Sequence, residues 1–190
     1  MKNKSLLKKG IGILLLLIMS AGVLSGCGKT SSEEEGISVY IGGTIFDGSL
    51  DPVKGAMSYG YPFTNNALTK VTPESEYTGD LASDWKISED ALTYTFNLKE
   101  GIKFHDGSDF TAEDVVFTYN EVKNNQGNNE NVDLSRMESA EATDDYTVTF
   151  KLSEPYSSFL DQTACLGIVP SDGYDSKTFD TVPIGTGPWK

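Results

Sequence analysis

Residues able to do chemistry are sparse in this 190-residue chain. His105 is the only histidine, and an imidazole can ligate a metal or move a proton near neutral pH. It stands between Phe104 and Asp106-Gly107, where a strand-like run gives way to a helix start, so a structural turn residue is expected there. Asp106, Asp109, Glu113 and Asp114 put four carboxylates close together, but not at the spacing of a calcium-binding loop. Turn formation, helix capping and favourable charge at a helix N-terminus account for them. Gly185-Thr186-Gly187-Pro188 lacks the GxxxxGK[ST] pattern of a phosphate cradle and reads as a rigid turn. Serine, histidine and aspartate are present, yet nothing in their order suggests a triad, and no carboxylate pair stands out as acid and base. No catalytic residue, metal site or cofactor is therefore expected, and the chain is read as a non-enzyme. The thiols are Cys27 and Cys165. Cys165 lies in the apolar setting Thr163-Ala164-Cys165-Leu166-Gly167-Ile168, which predicts a small buried hydrophobe rather than a reactive group.

Cys27 has a different context. Lys2, Lys4, Lys8 and Lys9 precede an apolar run over residues 11–19, followed by Ser20, Ala21 and Gly22 and then Leu24-Ser25-Gly26-Cys27. A basic end, an apolar middle and a small-residue zone make a secretory signal. The apolar run is shorter than the roughly 20 residues of a membrane span. Leu24-Ser25-Gly26-Cys27 resembles the lipobox of bacterial lipoproteins. That resemblance implies cleavage between Gly26 and Cys27 and a diacylglycerol on the Cys27 thiol, with at least two acyl chains giving a stable anchor.

Removing the 26-residue leader from 190 residues leaves 164, enough for one domain with a core. The leader holds four of the 15 basic residues, so 11 basic residues face 28 acidic ones, a net charge of −17. Such a surface repels nucleic acid and anionic lipid and favours solubility, and a monomer is expected. With lipid on Cys27, Cys165 has no disulfide partner in the chain.

The elements that must position these residues follow from patterning. Residues 28–36, small, polar and acidic, read as a flexible tether. Ile37, Val39 and Ile41 alternate with polar residues and predict a first strand, followed by a glycine-containing loop over 42–50 that could approach a ligand closely. Tyr59 and Tyr61 could stack on a ligand but are expected to pack in the interior. Residues 67–71 suggest the end of a short helix. Tyr94, Phe96 and Leu98 alternate with Thr93, Thr95 and Asn97, and Ile102 and Phe104 read as the return strand of a hairpin through Lys99-Glu100-Gly101. Thr111 with Asp114 forms a capping-box pattern for a helix carrying Val115, Val116, Tyr119 and Val122 on one side. An Asn-rich polar loop follows at 124–131. Tyr146, Val148, Phe150 and Leu152 predict another strand. Pro155 is placed at the start of a short helix holding Phe159 and Leu160, and Ile168-Val169-Pro170 at a strand end.

Four stretches, read together, carry a family resemblance. They are Ser49-Leu50-Asp51-Pro52, LASDWKISEDALTYTFNLKEGIKFHDGSDFTAEDVVFTYN over 81–120, DYTVTFKLSEPYSSF over 145–159, and PIGTGPWK over 183–190. They resemble the family 5 extracellular solute-binding proteins, the peptide, dipeptide and nickel receptors of ABC importers. Two departures are visible: Asp90-Ala91 stands where the family has Asp-Gly, and Trp189 where it has Tyr.

The resemblance implies an α+β fold, the N-terminal part of a type II periplasmic-binding-protein lobe with an accessory mixed subdomain, in a receptor whose two lobes close on the solute. The expected organisation is a leader over 1–26, lipidated Cys27 and tether over 27–36, and a partial solute-binding domain over 37–190 with the subdomain near 61–170. The second lobe is expected to be missing, as in a truncated product or fragment that binds nothing with useful affinity. The function expected is the substrate-binding lipoprotein of an ABC importer for oligopeptides or dipeptides, working with permease and ATPase subunits and held on the outer face of the cell membrane. Nickel or another small solute is the alternative within the family, with the nickel ligands supplied by a small chelator. A non-transporting surface fragment acting as an interaction module or without function, and a surface hydrolase, are the rivals from other classes. A peptide pool that leaves the melting temperature unchanged would favour the first of these; ester and peptide substrates test the second.

Overall fold

A computed structural model describes residues 49–55, 64–125, 129 and 131–190. The strand expected at 37–41, the loop at 42–48, Tyr59, Tyr61, the tether, Gly26 and Cys27 lie outside the described residues. No helix among the described residues is long and apolar enough to cross a membrane.

A four-stranded antiparallel sheet organises the described part. Its strands are β3 (Ala82–Ile87), β4 (Thr93–Leu98), β5 (Met137–Asp144) and β6 (Thr147–Leu152), in the order β3-β4-β6-β5. A small hairpin, β1 (Thr69–Val71) with β2 (Tyr77–Gly79), lies outside that sheet. Helix α1 spans Ala112–Asn124 and helix α2 spans Phe159–Cys165.

The alternation expected in the two central strands is present. Tyr94, Phe96 and Leu98 are buried in β4, and Val148, Phe150 and Leu152 in β6, with Tyr94 opposite Phe150 and Phe96 opposite Val148. Thr93, Thr95, Thr147 and Thr149 lie half-buried on the other face. A pleated strand sends successive side chains to opposite faces, so this sheet packs on one side and faces solvent on the other. Helix α1 lays Val115, Tyr119 and Val122 on the apolar face, with the Tyr119 ring 4.6 Å from that of Phe150. Val116 is half-buried. The α1 start is the expected capping box, in which the Thr111 N–H donates to Asp114 Oδ2 at 2.8 Å. Phe159 of α2 closes the cluster against Tyr94 (4.8 Å) and Phe150 (5.4 Å). The apolar core also takes in Val53 and Phe179.

Several expectations fail for identifiable reasons. Residues 67–71 end in strand β1, not in a helix. The segment runs into Thr72-Pro73, and a residue before proline is driven from helical to extended backbone. Ile102 and Phe104 do not return along β4, because both edges of β4 are already occupied by β3 and β6. They form instead a one-bridge turn, Lys103 with Asp109, that buries Phe104 6.2 Å from Phe110. The helix after Pro155 begins only at Phe159, with Ser158 in the capping position. Ile168-Val169-Pro170 is buried but joins no strand. Its polar groups are taken by Asn66 O, which accepts from the Ile168 N–H, and by Thr118 Oγ1, which accepts from the Val169 N–H.

The departure at Asp90-Ala91 has a measurable consequence. The β3–β4 hairpin turns through Ser88–Leu92, and Ala91 sits there at φ +56°, in the left-handed region. A side chain with a Cβ is strained in that conformation by roughly 1–2 kcal/mol, a strain glycine avoids at some entropic expense. Ala91→Gly is expected to stabilise the protein by about 0.5–1 kcal/mol. A urea midpoint that stays put or falls would contradict the strained turn.

Candidate functional site

Buried polar groups concentrate where residues 49–55 meet the chain's later part. Asp51 is fully buried before a 3-10 turn over Pro52–Lys54 and caps it, its Oδ1 accepting from the Val53 N–H at 3.0 Å. Its Oδ2 accepts from the Tyr174 hydroxyl at 2.8 Å, and Lys54 Nζ lies 3.6 Å away. Asp180 receives three donors: Ser49 Oγ at 2.5 Å, the Leu50 N–H at 3.1 Å and Lys54 Nζ at 2.8 Å. Lys54 also donates to the Ser176 carbonyl. From the other side, Asn129 Nδ2 donates to the carbonyls of Pro52 (3.0 Å) and Val53 (3.3 Å), and Asn131 Nδ2 to that of Gly55 (2.8 Å).

The electrostatics of the cluster follow from this geometry. Burial raises the pKa of Asp51, and the Tyr174 hydroxyl, the Val53 N–H and the Lys54 charge only partly offset it. Desolvation opposes ionisation of Asp180 as well, but Lys54, Ser49 and the Leu50 N–H outweigh it and hold that carboxyl below its usual range. Lys54 is raised, chiefly by its hydrogen bond to Asp180. Tyr174 is driven upward by burial and then by Asp51, so it stays a protonated donor. A pocket of about 210 Å³ opens beside the cluster, lined by Val53, Lys54, Glu121, Asn125, Tyr174 and Ser176. Ligand pockets usually measure roughly 300–1,000 Å³, so this one does not enclose a peptide.

A second polar contact fixes the Gly185-Thr186-Gly187 turn. The Gly187 N–H donates to Thr64 O at 2.8 Å, Asn65 Nδ2 to Ile184 O at 3.2 Å, and the Asn66 N–H to Thr186 Oγ1 at 3.2 Å. A Cβ on Gly185 would lie 1.9 Å from Thr64 O, so only glycine permits this approach. His105 belongs to this contact. Its Nδ1 accepts from the Gly185 N–H at 3.3 Å, so its Nε2 carries the hydrogen donated to Gly187 O at 2.7 Å. Both ring nitrogens are thus committed to backbone, as a structural turn residue requires.

The other residues singled out by sequence do not converge. Asp106 accepts from the N–H and hydroxyl of Ser108, Asp109 pairs with Lys103, and Asp114 caps α1 and accepts from Ser171. No group of acids, cysteines or histidine able to hold a metal occurs among the described residues. Cys165 is exposed, against expectation. Helix α2 turns Phe159 and Thr163, one turn apart, into the core, which leaves Cys165 on the opposite side while Leu166 and Ile168 are buried. Partial desolvation of its sulfur, then the Asp161 charge, raises the thiol pKa, which disfavours the reactive thiolate. The same carboxylate accepts from the Tyr77 hydroxyl, whose pKa burial and Asp161 push up to about 12.

Sequence reasoning missed Lys54, Asn129, Tyr174 and Asp180. Asp51-Pro52 reads from sequence only as part of the Ser49–Pro52 stretch of the resemblance, and the Asn-rich composition only as a loop; neither names a distant partner.

Comparison with known proteins places the chain. The model of bacterial extracellular solute-binding proteins, family 5 Middle, matches residues 76–190. The dipeptide-binding protein of Escherichia coli K12 is 28% identical, over 100% of this chain and 39% of that protein. A putative ABC transporter peptide-binding protein of Brucella ovis is 33% identical over 90% of this chain and 33% of its own length. Among solved structures, NikZ from Campylobacter jejuni in complex with Ni(L-His) superposes with a TM-score of 0.67 and 28% identity, over 81% of this chain and 31% of that one. The periplasmic binding protein DppA from Helicobacter pylori in complex with the peptide STSA gives a TM-score of 0.61 and 28% identity, over 75% and 34%. The chain thus spans between 33% and 39% of these two curated relatives, and its fold is part of a type II periplasmic-binding-protein fold.

Proposed function

This chain belongs to the bacterial extracellular solute-binding proteins of family 5, and from that premise we propose that it serves as the substrate-binding lipoprotein of an ABC importer, with dipeptides or oligopeptides as solutes. The observation that carries the proposal is the continuous match over residues 76–190, joined by a peptide-binding relative 33% identical over nine-tenths of the chain. On this reading the protein does no chemistry. It captures solute outside the cell, closes on it and presents it to the permease, while ATPase subunits supply the energy. The charge balance, 15 basic against 28 acidic residues, agrees with partners other than nucleic acid.

The leader over 1–26 is read as removed between Gly26 and Cys27, with lipid on Cys27 holding a monomer to the outer face of the membrane through a tether over 28–36. The described core is then the accessory subdomain of the first lobe, near 61–170 within a domain over 37–190.

The likeness to the nickel–histidine complex of NikZ favours one second reading, a metal chelate as solute. His105 is the only histidine in the chain and both its ring nitrogens are engaged, so a chelator would have to bring the nitrogen ligands itself. Uptake separates the readings. Cells lacking the gene are expected to lose uptake of a labelled dipeptide and to keep that of nickel–histidine. Unchanged dipeptide uptake would overturn the peptide assignment.

A further inference from the structure

We propose that Lys54 is the pin of a local lock between residues 49–55 and residues 174–180, and that neutralising its charge opens this end of the molecule while the four-stranded sheet stays folded. The segment over 49–55 joins no strand of the sheet. It is held by one buried apolar side chain beyond the proline, Val53, and by polar contacts to two other stretches. One of these, Asn129 with Asn131, grips backbone carbonyls and involves no charge. The other sets Asp51 on the Tyr174 hydroxyl and Asp180 on the Ser49 hydroxyl and the Leu50 N–H, and its one countercharge among the described bases is Lys54, which pairs with both carboxylates.

Asp51 is fully buried, and Lys54 Nζ reaches both it and Asp180, at 3.6 and 2.8 Å. With Lys54 uncharged these carboxylates face each other without a countercharge, and leaving a buried carboxylate unpaired is far costlier than losing an exposed pair. None of these contacts is shared with β4 or β6, whose stability comes from apolar packing between Phe96, Tyr119, Phe150 and Phe159. The expected response is therefore sub-global opening.

Amide hydrogen exchange of the full chain tests the lock. In Lys54→Met, the amides of Val53, Lys54, Gly55, Thr178 and Phe179 are expected to exchange about tenfold faster, with those of Phe96 and Phe150 changed less than about twofold. Lys54→Arg, which keeps the charge, is expected to restore most of the protection. Unchanged exchange at 53–55, equal acceleration in the sheet, or an arginine variant as open as the methionine one would each overturn the proposal.

Discussion

Replacing Phe150 by alanine is expected to lower stability by about 3–5 kcal/mol, the loss typical of emptying an aromatic site in a packed core. Phe150 has no exposed surface and meets Phe96, Tyr119 and Phe159 at ring separations of 5.7, 4.6 and 5.4 Å. It is thus the residue where sheet, α1 and α2 converge. Domains are commonly stable by only about 5–15 kcal/mol, so the variant is expected to be partly unfolded at 37 °C or to melt far below the parent. Thr149→Ala, one residue away on the solvent-facing side, is expected to cost less than about 1 kcal/mol. Thermal or urea unfolding measured by far-UV circular dichroism reads both. A Phe150 variant within about 1 kcal/mol of the parent would mean that the core does not depend on this convergence.

The second large effect concerns location. Cys27→Ser is expected to move the protein from the membrane fraction to the soluble one almost completely and to abolish incorporation of labelled fatty acid. The expectation follows from the proposed lipid anchor: Leu24-Ser25-Gly26-Cys27 supplies one acylatable thiol, and serine cannot take the thioether. Two acyl chains hold a protein firmly where a single chain gives only marginal binding, so loss of the acylated residue leaves no intermediate state. Fractionation after expression in a bacterial host, with Cys165→Ser as the control that keeps its location, makes the measurement. Retention of the Cys27 variant in the membrane at the parent level would show an anchor of another kind.

What the sequence discloses and what it hides divide along physical lines. Strands β4 and β6 were legible because they lie at the centre of the sheet with one face buried, so their alternation is enforced by the core. Helix α1 was legible because its cap is local: Thr111 and Asp114 are three residues apart. The edge strands were not. In β3, Ser83, Asp84, Lys86 and Ile87 are all exposed, and β5 reads Met-Glu-Ser-Ala-Glu-Ala-Thr-Asp, a composition that does not favour a strand by itself. Edge strands take their conformation from the neighbour they pair with, and both here carry register shifts that blur the period.

The polar cluster was hidden for a related reason. Lys54 and Asp180 are 126 positions apart, and Asn129 lies 77 from Pro52, so no window of sequence contains both partners. His105 shows the opposite case. Its turn context alone predicted a structural role, and the fold supplies the backbone groups of Gly185 and Gly187 that occupy its ring. The expectation for Cys165 fails because its apolar neighbours in sequence are not its neighbours in space. At the end of a short helix, two positions separate the buried Thr163 from the opposite face.

Thermal unfolding of the native protein, with and without a pool of di- and oligopeptides, bears most directly on the proposed peptide-receptor role. A ligand that binds only the folded state at a hundredfold excess over its Kd stabilises by about 2.7 kcal/mol, a rise in Tm of roughly 5–10 °C. That rise, absent with nickel–histidine, is the predicted result. A Tm unmoved by every peptide would contradict the assignment of this chain to peptide capture.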